Sequence, residues 1–245
     1  MIRPRLCAPP KASATPSRGT AAVWARLHQV RTTLRDAGPR ALAVKTLQEL
    51  RLYRRLGLFE VPIEPDPPRA GAASAGITVR ELAAARDDLE AYAALRPDAS
   101  RDETSTRLRR GDRCFVALLD GRLVSSVWLA TGVVPIAYLE CDLEIGPDEA
   151  YAHDAFTLPG LRGLDVGTWR TERMKEQARA AGRRRVLSLQ LAENASQQRR
   201  SVRRGYRPLG VVGWYGIGPW RRLFVRLNDT APAGLAVALR RSRDP

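Results

Sequence analysis

Residues Tyr151 to Gly210, YAHDAFTLPGLRGLDVGTWRTERMKEQARAAGRRRVLSLQLAENASQQRRSVRRGYRPLG, decide the fold. Tyr151 to Leu158 alternates roughly, carries aromatics and stops at Pro159, which predicts a strand. Arg162-Gly163-Leu164-Asp165-Val166-Gly167 follows, a glycine-bearing turn opening a long helix that ends at Gly182. Such a turn aims several backbone N–H groups at one point, and the helix dipole adds to them, so the joint suits a phosphate. Arg184 to Leu191 is a leucine-rich strand with Glu193-Asn194 at its carboxyl end. A second helix over 195–204 starts there and stops at Gly205, before Tyr206.

This succession resembles the acyl-CoA-binding half of the GNAT superfamily of N-acyltransferases. The matching residues are Arg162, Gly163, Val166, Gly167, Asn194, Gly205 and Tyr206. The resemblance spans about residues 76 to 228, with its specific motifs inside 151–210. Asp165 stands where the family usually has its middle glycine. Ser201, four residues before Gly205, stands where many members carry a tyrosine that protonates the leaving thiolate.

The resemblance implies acetyl-CoA, or another acyl-CoA, as cosubstrate. Arg162 and the turn Gly163, Leu164, Asp165, Val166, Gly167 would hold its pyrophosphate. A backbone N–H within 155–158, at Phe156 or Thr157, would bind the thioester carbonyl. Asn194 reads on its own as the N-cap of helix 195–204, and the family adds a contact to pantetheine or phosphates. Arg199 is either a cation for the adenosine 3′-phosphate or part of a solvated basic face.

Acyl transfer to an amine needs a neutral nucleophile, a polarised carbonyl and a destination for one proton. His153 and Asp154 are the candidates for base, and on a regular strand they face opposite sides unless a bulge intervenes. Ser201 is the candidate acid. Glu140, Asp142 and Glu144 alternate in the preceding strand, as a solvated face or a cradle for a cationic amine.

The 245-residue chain carries a net charge of +15, almost all of it from Arg, since Lys occurs only at Lys11, Lys45 and Lys175. That charge favours anionic partners such as CoA, lipid head groups or nucleic acid. Cys7, Cys114 and Cys141 form no CxxC pair, which argues against a disulfide framework and for a reduced cytoplasmic compartment. His28 and His153 are the only imidazoles, so no metal site is expected. Leu123 to Leu139 is uncharged but broken by Gly132 and Pro135, which predicts buried strands rather than a membrane span.

Residues 1–20 read as a disordered tail and 62–75 as a linker. Between them, 21–61 reads as a basic helical segment in two pieces parted by Gly38-Pro39. The first 60 residues hold 12 Lys+Arg against 3 Asp+Glu, 12 − 3 = +9. Residues 21–58 are therefore expected to pack as an accessory hairpin or to lie on an anionic membrane. From 76 to 229 the pattern is strand, two helices, then strands with an Asp120-Gly121 hairpin between Cys114–Leu119 and Leu123–Thr131. Ile136–Leu143 is read as one further strand, Phe224–Leu227 as the last, and 230–245 as a tail. The fold class is α/β (α+β): a GNAT-like mixed, mostly antiparallel sheet with helices on both faces.

The expected activity is N-acyltransfer, most simply N-acetyltransfer, to a primary amine of a small molecule or amino sugar by direct attack in a ternary complex. The chain would act as monomer or homodimer in the cytoplasm, peripheral on the inner membrane face if 21–58 bind lipid. A tRNA-dependent aminoacyl transferase of the peptidoglycan-bridge type and a non-catalytic binding domain are the alternatives. Zinc-finger spacing and RNP-type aromatics are absent, so nucleic acid is not the expected partner.

Overall fold

The computed structural model describes residues 39, 43, 44, 46–50, 52–64 and 76–242. The expected first helix over 21–38, the tail 1–20 and most of the linker lie outside the described residues. The chain divides into units 1–53 and 54–245. Of the first, residues 46–49 are helical, and Leu52 N donates to Leu47 O at 2.8 Å.

In chain order the elements are β1 (Tyr53–Val61), β2 (Ile77–Glu81), α1 (Arg86–Leu95), α2 (Arg101–Arg109), β3 (Arg113–Leu119) and β4 (Arg122–Ala130). Then come β5 (Val133–Ile136), β6 (Cys141–Ile145), β7 (Glu149–Thr157), α3 (Val166–Ala180) and β8 (Arg185–Leu191). The chain continues with α4 (Ala195–Arg203), β9 (Arg207–Tyr215), β10 (Arg222–Leu227) and β11 (Val237–Arg241). Eight strands form one sheet in the order β10-β9-β1-β8-β7-β4-β3-β2, and β11-β6-β5 form a second. β1 with β8, β2 with β3, β3 with β4, β4 with β7, β5 with β6, β6 with β11 and β9 with β10 pair antiparallel, whereas β7 and β8 run parallel.

Helices cover both faces, as expected. On one face α1 and α2 bury Tyr92 and Leu108 against Cys114, Val116 and Trp128. There the Trp128 indole N–H donates to the Tyr92 hydroxyl at 2.8 Å. On the other, α3 sets Met174 and Ala178 against Phe115, Val127 and Val186. The second sheet brings Val134, Ile136, Leu139, Leu143 and Ile145 onto Leu56, Leu58, Leu187, Val212 and Trp214.

Local chemistry explains the joints. Ser100 Oγ accepts from Asp102 N at 3.2 Å, and α2 carries Asp102 and Glu103 first, Arg107 and Arg109 last, complementing its dipole. Asp120 (φ 49°) and Gly121 (φ 79°) give the two positive φ angles of a type I′ hairpin.

Three expectations fail. Residues 53–61 are not helix but β1, inserted between β8 and β9. Central strands buried on both faces lose the apolar–polar alternation, and Leu56-Gly57-Leu58-Phe59 preceded by arginines imitates a helix stripe. The fit is close, since a side chain at Gly213 would collide with the Arg54 carbonyl. Ile136–Leu143 is two strands broken at Glu140, whose φ of 52° lies in the left-handed region. The tail 230–245 contains β11, paired with β6 from Val237↔Ile145 to Arg241↔Cys141.

Candidate active site

β7 and β8 run parallel but pair only over Glu149↔Arg185, Ala150↔Val186 and Tyr151↔Leu187. Beyond that point β7 stays with β4 as far as Thr157, and β8 stays with β1 as far as Leu191. The sheet therefore opens at the carboxyl ends of its two parallel strands, the usual place for a ligand in such topologies. α3 begins just past the end of β7, and α4 just past the end of β8.

The β7 side of the opening is bulged. Ser126 pairs with Phe156 and Trp128 with His153, so the single residue Val127 opposes both Asp154 and Ala155. Asp154 absorbs the extra residue with φ 50°, a conformation that Asp tolerates better than most side chains. The bulge leaves Asp154 and Ala155 out of the ladder with β4, which suits a backbone donor for a ligand carbonyl.

The side chain of Asp154 is fully engaged. Arg96 Nη1 donates to Oδ1 at 2.7 Å and Arg107 Nη1 to Oδ2 at 2.9 Å. Arg96 also pairs with Asp98 and Arg107 with Glu103. Burial would raise the Asp154 carboxyl, but the two guanidiniums outweigh it and hold the group below the usual carboxylate range. Held below the usual carboxylate range, Asp154 is a weak proton acceptor, and its two ion pairs tie the bulge to α1 and α2. His153 stacks at 5.2 Å on Tyr151 and at 6.5 Å on Trp128. Burial, helped by Arg107, lowers it to about 4, so the imidazole is neutral at physiological pH. Its Nε2 is buried without a hydrogen-bond partner among the described residues.

The turn into α3 has the expected shape. Gly163 (φ 94°) and Asp165 (φ 56°) take left-handed conformations. Asp165 O accepts from Thr168 N at 2.8 Å and Trp169 N at 3.1 Å, while its side chain, which accepts from Thr168 Oγ1 at 3.3 Å, makes no capping bond to a helix amide. The amides of Val166 and Gly167, at the first two helical positions, lack an intrahelical acceptor by geometry. Leu164 is 61% exposed, and Arg162 is exposed with one long contact, Nε to Thr157 O at 3.4 Å.

Asn194 caps α4, its Oδ1 accepting from Gln197 N at 3.1 Å. Ser201 Oγ accepts from Gln190 Nε2 at 2.9 Å, leaving its own proton free to donate. Arg199 lines a groove of about 440 Å³ beside Phe59, Gln198, Val202 and Pro208. Because β1 carries Phe59 and lies beyond β8 from β7, that groove is bordered by a different strand from the turn at 162–167. The acids of the expected row separate. Glu140 sits 3.1 Å from Arg54 and also pairs with Arg221, Asp142 accepts from Ser242 at 2.9 Å, and Glu144 pairs with Arg240.

Sequence reasoning missed Arg96, Arg107, Ser125 and Arg170. For Arg170 a signal existed: Val166, Arg170, Met174 and Ala178 recur every four residues on the buried stripe of α3. An arginine in such a stripe is an anomaly worth pursuing. Among the described residues no His/Cys/Asp/Glu grouping could hold a metal, and no helix is long and apolar enough to cross a membrane.

No family model and no curated protein matches the chain. Solved structures do. A structure from Novosphingobium aromaticivorans assigned to the GNAT family shares 18% identity at TM-score 0.43, covering 65% of this chain and 61% of that one. A GCN5-related N-acetyltransferase from Kribbella flavida shares 17% at TM-score 0.41, with coverage of 67% and 60%. A ribosomal-protein-alanine N-acetyltransferase from Brucella melitensis shares 13% at TM-score 0.40, with coverage of 62% and 99%. The chain thus spans 61% of the length of the first of these.

Proposed function

We propose that this chain is an acyl-CoA-dependent N-acyltransferase, most simply an N-acetyltransferase. The observation that carries the proposal is the meeting of the parted β7/β8 ends, the bulge at Asp154–Ala155 and the start of α3, whose first amides lie beyond the intrahelical ladder. Arg162 and the Val166 and Gly167 amides would take the cosubstrate's pyrophosphate. A pantetheine-like arm, extended and rich in amides, suits an opening edged by unpaired strand backbone.

The chemistry is modest. A backbone N–H at the bulge polarises the thioester carbonyl, and a neutral primary amine attacks it. The C–N bond forms, the C–S bond of the tetrahedral intermediate breaks, and the thiolate takes a proton from water, directly or relayed through the Ser201 hydroxyl, which gains one proton as it gives one. With Asp154 clamped and His153 stripped of basicity, the ammonium proton of the adduct leaves to solvent. The acceptor is a small amine or amino sugar, and the site of action is the cytoplasm. Salt-dependent contact of the basic N-terminal residues with an anionic membrane belongs to the same proposal.

Isothermal titration of the full chain with acetyl-CoA, longer acyl-CoAs and CoA tests it, followed by thiol release with a panel of amines. Absence of CoA binding at millimolar concentration sinks the proposal. Binding without thiol release from any amine leaves the non-catalytic alternative, which the paired Asp154 favours.

A further inference from the structure

Among the described residues, the guanidinium of Arg170 is buried without a counter-charge. The residue is 5% exposed, and its hydrogen bonds run from Nη1 alone. Nη1 donates to Ser125 Oγ at 2.7 Å, to Phe156 O at 2.8 Å and to Ser126 O. All three acceptors are neutral. Nε is buried with no partner, and Nη2 makes no hydrogen bond among the described residues. Among the described residues no carboxylate pairs with it, whereas burial without such a partner lowers its pKa. Every other guanidinium described around the bulge has its acid: Arg96 has Asp98 and Asp154, and Arg107 has Glu103 and Asp154.

Taking a charge out of water without an ion partner is costly, and the cost falls when a partner of opposite sign arrives. The edge of the guanidinium that makes no hydrogen bond lies under the first turn of α3. A side chain at Gly167 would come 3.4 Å from Thr157 Oγ1 and 3.9 Å from Arg170 Nη2. With glycine there, the Gly167 amide, the Thr157 hydroxyl and the free edge of the guanidinium all border the first turn of α3. Thr157 Oγ1 is itself tied to Ser125 Oγ at 2.8 Å, so the polar set is one connected network. Burial also lowers Arg170 to about 10, which still leaves it charged at neutral pH.

We propose that Arg170 is a positioning residue for an anionic ligand: a buried cation beneath the first turn of α3 whose counter-charge is a diphosphate group. It acts through the same turn as the proposed function and rests on that placement, but not on the ligand's being CoA. The guanidinium holds the Phe156 carbonyl and the bulge on one side and reinforces the Val166 and Gly167 amides on the other. Because the charge is buried, its contribution is screened by salt far less than that of exposed Arg162.

The test uses the full chain, Arg170→Met and Arg170→Lys, with CoA and inorganic pyrophosphate as probes. Arg170→Met removes an uncompensated charge and keeps the length. It should leave the chain folded, because the lost hydrogen bonds and the removed buried charge act in opposite directions, while weakening both probes at least 10-fold, with Arg170→Lys in between. In the wild type, the partnerless Arg170 Nε–H should shift in a nitrogen–proton spectrum on adding pyrophosphate but not chloride at equal ionic strength. Loss of stability with unchanged affinity, or a Nε–H that ignores both probes, overturns the inference by making Arg170 an internal brace only. Pyrophosphate binding that depends on Arg170 without CoA binding sinks the cosubstrate assignment and leaves this inference standing. CoA binding indifferent to Arg170 does the reverse.

Discussion

Arg107 Nη1 donates to Asp154 Oδ2 at 2.9 Å, tying α2 to the bulge of β7 across 47 residues of sequence. Arg96, at the end of α1, closes on the other oxygen at 2.7 Å. The carboxylate thus fixes a strained φ by joining two helices to the sheet, and its removal leaves two partly buried guanidiniums facing each other. Asp154→Ala should therefore destabilise the fold by about 2–4 kcal/mol, somewhat under the roughly 3–5 kcal/mol of a fully buried pair because the carboxylate is partly exposed. Asp154→Asn, which tolerates the positive φ, should cost less. Urea unfolding of both variants measures this. If Asp154→Asn keeps full stability yet abolishes turnover, Asp154 is a base after all.

His153 should give stability a pH dependence. Its pKa is lowered in the folded chain to about 4, against about 6.5 unfolded, so the unfolded chain binds the extra proton between those values. Stability from the neutral imidazole is whole above pH 6.5 and is lost as pH falls towards 4, by about 3 kcal/mol in all. The depressed Asp154 carboxyl acts lower still: its contribution is present above about pH 4 and fades below that. His153→Phe, which keeps the stack on Tyr151 and Trp128, should flatten the slope between pH 6.5 and 4. An unchanged slope would show that other groups carry it.

Much of this was legible from sequence, and the failures share a cause. The Asp120-Gly121 hairpin and the Asn194 cap depend on two to four neighbouring residues, so local chemistry revealed them. β1 did not show, because burial on both faces erases alternation and its partners β8 and β9 lie over a hundred residues away. The bulge turns on register between β4 and β7, which no single strand's sequence encodes. β11 pairs with a strand some ninety residues earlier, and its polar Arg240-Arg241 end hid it in an apparent tail. Within the site, the turn at 162–167 was readable as a motif. Arg170 broke a helical pattern and passed unnoticed, although the break was the signal.

Arg162 is exposed and lightly held, which suits a side chain that closes on an arriving phosphate. Arg162→Ala should weaken CoA by about 1–3 kcal/mol, roughly 5- to 150-fold, with the unfolding midpoint unmoved. The wild-type affinity should also fall with added salt more steeply than that of the variant. Equal affinities at low salt would remove Arg162 from the site.

Asp165 offers a change of opposite sign. Its φ of 56° suits glycine at no cost, and its side chain does not cap the helix. Asp165→Gly should then fold normally and bind CoA more tightly, because a carboxylate beside the helix start repels phosphate. Titration calorimetry on both proteins decides it. A weaker affinity would mean that Asp165, through its contact with Thr168, shapes the turn more than it repels the ligand.

The last prediction concerns where the folded unit begins. The motifs of the site all lie beyond residue 150, which invites a chain starting at Gly76. Such a chain lacks β1, which contributes Leu58 at 0%, Phe59 at 4% and Val61 at 1% exposure to the core. It would also leave β8 and β9 with unpaired edges in the middle of the sheet, since β1 lies between them. Three buried side chains at about 1.5–3 kcal/mol each approach the whole stability of a small domain. The Gly76 chain should be insoluble or unfolded by circular dichroism. A chain starting near residue 50 keeps β1 and should fold and bind CoA as the full chain does. Comparing that second chain with the full one on anionic vesicles isolates the basic segment, because folding is then the same in both. Equal vesicle binding at low salt would end the membrane proposal, whereas a folded Gly76 chain would mean that β1 is dispensable to the sheet.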